Sequence, residues 1–134
     1  MANEILKETD LPMEGWVEVV ACIANHDEST GTAFDPVSAA LIIADETDVR
    51  RNRVRTEDPV QFDIHDRVNY AVIGQNLQCD IERKSITLNL RTDEHICTMY
   101  DYFEIFLGRM VMCRRAAEVP AVTFKLKANG QKVL

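Results

Sequence analysis

The feature that most constrains this chain is an apolar stripe in its second half. Ile96, Met99, Phe103, Phe106, Met110, Cys113 and Ala117 recur at spacings of 3, 4, 3, 4, 3 and 4, the period of one helix face. Thr92-Asp93-Glu94 offers a cap and early acids. Arg114 and Arg115 fall in the last turn and Pro120 follows, so both ends suit the helix dipole. The pattern predicts a helix over about residues 93 to 117. Tyr102, Ile105, Leu107, Val111 and Met112 add apolar surface on its flanks, so either a sheet wraps this helix or a second subunit covers it.

What surrounds the helix reads mostly as strand. Trp16 to Ala24, WVEVVACIA, is rich in β-branched residues and predicts a strand. Asp35-Pro36 is a helix-start signal, yet the short apolar run Ala40 to Ala44 is also a good buried strand, and strand is preferred there. Val60, Phe62 and Ile64 alternate with Gln61, Asp63 and His65, which predicts a half-buried strand, and Tyr70 to Gly74 a second one. Leu77, Cys79 and Ile81 then alternate on one arm and Ile86, Leu88 and Leu90 on the next, with residues 82 to 85 as the hairpin loop. Val122 to Lys127 alternates again, and Asn129-Gly130 is a type I′ turn signature. The expected fold is α+β: a mainly antiparallel sheet, sandwich or partly open barrel, with one long helix packed on it and a terminal hairpin.

At 134 residues, 46% hydrophobic and 28% charged, the chain suits one domain over 1–134 and excludes wholesale disorder. No apolar run reaches bilayer length, so no membrane partner is expected. The start MANEILKETD does not read as a signal peptide, and Cys22, Cys79, Cys97 and Cys113 lack short spacing. Reduced thiols in a cytoplasmic protein are expected.

Charge is divided along the chain. Residues 1 to 49 carry eleven acids against the single base Lys7, whereas residues 109 to 134 carry Arg109, Arg114, Arg115, Lys125, Lys127 and Lys132 against Glu118. Between them lies VRRNRVR, with Arg50, Arg51, Arg53 and Arg55 in a chain of net charge -7. Asp45, Glu46 and Asp48 before this cluster and Glu57 and Asp58 after it cancel it locally, which argues against a nucleic-acid partner. The arginines are expected to pair with carboxylates, within the chain or across an interface.

Chemical motifs are sparse. Asp63, His65 and Asp66 could orient a general base, but no nucleophile motif or oxyanion turn accompanies them. Cys22-x-x-x-His26 and His95-x-Cys97 supply four metal-capable side chains, although positions two apart at a helix start point to different sides. Glycines 15, 31, 74, 108 and 130 form no phosphate-binding loop. No catalytic residue, metal or cofactor is expected.

Arg50-Arg51-Asn52-Arg53-Val54 followed by Pro59-Val60-Gln61-Phe62 resembles the arginine-rich opening of PilZ domains, β-barrels that often bind cyclic di-GMP. Leu77 to Ile86 falls where that family carries its (D/N)xSxxG motif, and Gly108-Arg109-Met110-Val111 through Phe124 is similar to its closing strands. The resemblance implies a barrel with a strand over Leu107 to Cys113. Because Glu82 stands in place of the motif serine and Ser85 in place of its glycine, it implies an adaptor without the nucleotide.

Three classes of function therefore stand. The preferred one is a non-catalytic structural or assembly protein that self-associates, as a homo-oligomer, or docks in a larger complex through charge-complementary surfaces. Its interface candidates are Arg50, Arg51, Arg53, Arg55, Arg109, Arg114 and Arg115. The alternatives are the PilZ-like adaptor and a small hydrolase using the His/Asp pair.

Overall fold

The computed structural model describes residues 1–28, 30–55 and 61–133. Among these residues it is an α+β fold of five α-helices and four strands, in the order α1 (Ala2–Leu6), α2 (Met13–Ala24), α3 (Pro36–Glu46), a 3-10 turn (Arg51–Arg53), α4 (Ile64–Ala71), β1 (Val72–Asp80), β2 (Ser85–Thr92), α5 (Met99–Glu118), β3 (Thr123–Ala128) and β4 (Gln131–Lys132).

The long helix is present, shorter at its start than the sequence predicts. Thr98, not Thr92, is its cap: Thr98 Oγ1 accepts from the Asp101 N–H while Asp101 Oδ2 accepts from the Thr98 N–H, a reciprocal capping box. Ile96 consequently lies in the preceding turn, held by its N–H to Asp93 O. Along α5 the buried residues are Tyr102, Phe106, Met110, Met112, Cys113, Ala116 and Ala117, while Phe103 is only half-buried. Tyr102 rather than Phe103 thus supplies the second large ring of the core. It meets Phe106 edge-on at 5.4 Å.

Three expected strands are helices instead. WVEVVACIA lies within α2, where a short β-branched run adopts the 3.6 period because Cys22 is thereby buried. Ala40 to Ala44 belongs to α3, whose start the Asp35-Pro36 signal marks correctly: Asp35 Oδ1 accepts from the Ser38 N–H and the Ser38 hydroxyl closes the box. Ile64 and His65 open α4, since the Asp63 side chain accepts from the Asp66 N–H and caps a helix where alternation suggests a strand. Tyr70 and Ala71 end that helix, so the extended run begins only at Val72. Val60 lies outside the described residues.

Both hairpins form. β1 and β2 pair antiparallel through Leu77–Leu88 and Cys79–Ile86, with a register shift near Ile73, and β3 and β4 pair antiparallel across Asn129-Gly130. Asn129 and Gly130 both take positive φ, 49° and 82°, as a type I′ turn demands. Asn129 also accepts from the Thr92 N–H and donates to Glu94, tying the turn to the end of β2.

The sheet is mixed rather than antiparallel throughout, and it is neither a sandwich nor a barrel. Its order is β1-β2-β3-β4, open at both edges, and β2 pairs parallel with β3. The physical reason is α5: a helix between two adjacent strands carries the chain back along the sheet, so the second strand starts at the same end as the first. The strand over Leu107 to Cys113 that the PilZ resemblance requires is the middle of α5. The described residues therefore form no barrel of that kind.

Helix α5 is the centre of the core. Leu88, Leu90, Phe124 and Leu126 from one sheet face, Ala39, Ile42 and Ile43 from α3, and Val68 and Ala71 from α4 join its buried residues in one apolar cluster. The opposite sheet face is left to Asn76, Gln78, Lys127 and their polar neighbours. Among the described residues, no helix is long and apolar enough to cross a membrane.

Candidate functional site

The VRRNRVR arginines are held close to their own backbone. Asp48 takes both Arg50 and Arg53, the latter at 2.7 Å. Arg51 Nε donates to Tyr70 O at 2.6 Å and its guanidinium lies 4.3 Å from the Tyr70 ring centre. The cluster thus clamps the 3-10 turn onto the end of α4. Hydrogen bonding from Arg50 and then Arg53 holds the Asp48 carboxyl below its usual range. Arg55 is exposed, and Glu57 and Asp58 lie outside the described residues.

Arg109 has a different fate from the other candidates. It points between helices, with Nε 3.1 Å from Glu46 Oε2 and 3.3 Å from Glu28 Oε2 and its guanidinium 5.0 Å from the Phe106 ring centre. Glu46 is only 1% exposed, and burial pushes its carboxyl above the usual range against the pull of Arg109. Cys113, buried nearby and repelled by Glu46, is pushed up to about 12 and is held as a thiol. This cluster joins α3, α5 and the α2–α3 loop.

The remaining chemical candidates do not converge. His65 is exposed on α4 and meets the Phe106 ring at 6.2 Å, while Asp63 is spent as a helix cap. Cys22 is buried on α2 and Cys97 before α5. Among the described residues no group of three or more His, Cys, Asp or Glu side chains could hold a metal ion.

The surface that sequence reasoning missed is on α2. Met13, Trp16, Val17, Val20, Ala21 and Ala24 recur at helical spacing and line a groove of about 440 Å³ with Asn3 of α1. Met13 and Val17 are 65% and 61% exposed. Cys22 and Gly15 occupy the opposite, inward side. The stripe is legible once the segment is a helix; read as a strand, the same residues scatter to both faces. Glu14 and Glu18 run along one flank, and Glu4, Glu8 and Asp10 precede it.

A second exposed strip lies on the outside of α5. Leu107 is 54% exposed, Val111 half-buried and Gly108 bare, and the exposed Arg114 and Arg115 stand one turn further on. Among the described residues neither arginine makes an ion pair, and neither do Glu14 and Glu18.

Fold and surface together define an α+β structure with a mixed four-stranded sheet and an uncovered amphipathic helix. Comparison with known protein families, with curated proteins and with solved structures finds no match.

Proposed function

We propose that the protein is a non-catalytic structural component that self-associates through complementary surfaces. The observation that carries this reading is the uncovered apolar face of α2. A helix that buries only Cys22 yet presents Met13 and Val17 outward, with Trp16 and Val20 half-buried beside them, is apolar on two sides, a pattern that calls for a cover on both. Its acidic flank adds direction, because complementary charge registers a contact that apolar burial alone leaves unspecific. The cytoplasm is the compartment proposed for it.

Light scattering over a range of concentrations at low and high salt tests the reading. A mass above that of the 15.2 kDa chain that falls on Val17→Asp is expected. A monomer at every concentration and salt overturns it.

A further inference from the structure

We infer that the α2 face is covered by the outer face of α5 from a second copy, in a head-to-tail contact with the two helices antiparallel. The inference rests on the assembly reading above and names the surface that completes it.

Pairing α2 with α2 does not answer its charges. An antiparallel two-fold pair places the same flank of each helix on one side, so Glu14 and Glu18 of both copies would share a single seam. A parallel two-fold pair sets that flank against the Val19 and Ile23 side, which carries no base. The outer strip of α5 offers what α2 lacks. Leu107 and Val111 supply apolar surface, and Arg114 and Arg115 follow, with no ion pair among the described residues.

Direction follows from the acids that α5 also carries. Glu104 lies toward its start, and Glu118 beyond the arginines. With Val20 on Leu107, an α2 that runs toward the start of α5 sets Glu14 at the level of Arg114, Glu18 about one turn short of it and the small Ala24 near Glu104. The antiparallel arrangement also sets the N-terminus of α2 beside the C-terminus of α5, where the helix dipoles attract. Because the two surfaces differ, each copy of a pair keeps one surface free, and the contact repeats as a ring or filament.

Sedimentation velocity of the full chain tests this with two double variants at exposed positions, both checked for an unchanged far-ultraviolet spectrum. Glu14→Arg with Glu18→Arg, and Arg114→Glu with Arg115→Glu, are each expected to weaken self-association at least about tenfold, since each now sets like charges together. An equimolar mixture of the two restores opposite charges at both contacts and is expected to recover the wild-type assembly. If wild type associates and Val17→Asp disrupts it while the Arg114/Arg115 variant associates normally, α2 docks elsewhere and the inference falls alone. Failure of the mixture to recover also overturns it. A monomeric wild type removes the assembly reading with it.

Discussion

Arg109 Nε stands 3.1 Å from Glu46 Oε2, joining the middle of α5 to the last residue of α3 through a carboxylate that has almost no contact with water. Glu28 reaches the same guanidinium from the α2–α3 loop at 3.3 Å. Three elements therefore share one cation. Removing it would leave Glu46 buried without a counter-charge, which typically costs about 3–5 kcal/mol.

That cost is expected to depend on pH. Burial raises the folded Glu46 pKa above its ordinary 4.5, so the native state keeps this proton to higher pH than the unfolded chain does, and stability falls as pH rises through that window. Arg109→Met widens the window by removing the attraction that opposes burial. Its melting deficit should be small near about pH 4 and grow toward neutrality. Adding Glu46→Gln should recover most of the neutral-pH loss. A deficit independent of pH in scanning calorimetry would mean that Arg109 stabilises by packing on Phe106 alone.

Asp48 works in the opposite sense. Its folded pKa lies below the ordinary 3.8 because Arg50 and Arg53 bind the charged form, so its stabilisation is present above that value and is lost as pH falls through the lowered pKa. Asp48→Asn should lower the melting temperature modestly at neutral pH, with the difference from wild type closing in acid. Unchanged self-association is expected in sedimentation, since the arginines it releases belong to a clamp within the chain.

The two phenylalanines of α5 should separate in thermal melts. Phe106 is 3% exposed at the meeting point of α3, α4 and α5, and Phe106→Ala should cost about 3–5 kcal/mol. Phe103 is half-buried at the edge of the same cluster, so Phe103→Ala should cost clearly less. Equal losses would place Phe103 deeper in the core than its exposure indicates.

Gly31 is packed where no side chain fits. A Cβ there would come within 2.5 Å of Asp27 O and 2.6 Å of both Asn25 O and Met112 Cε. Two of these obstacles are backbone, which cannot swing aside. Gly31→Ala should therefore cost about 1–3 kcal/mol, the usual range for overpacking, measured by urea denaturation.

Local periodicity carried what was legible in the chain alone. Six of the seven apolar positions of the stripe, Met99 to Ala117, lie in α5, because so long a stripe has one way to be buried together; the alternating arms and Asn129-Gly130 determine the two hairpins, because positive φ and side-chain alternation are properties of neighbouring residues. Tertiary structure decided the rest. For runs as short as Trp16 to Ala24 or Phe62 to Ile64, intrinsic preference is worth only tenths of a kcal/mol per residue, so a cap such as Asp63 or a buried contact such as Cys22 settles the outcome. The parallel pairing of β2 with β3 follows from α5 lying between them. Among the arginines, sequence could propose carboxylate partners, but only packing could turn Arg109 inward to Glu46 and leave Arg114 and Arg115 facing out, since successive helix positions differ by about 100° and the direction of the core is set by elements far away in the chain.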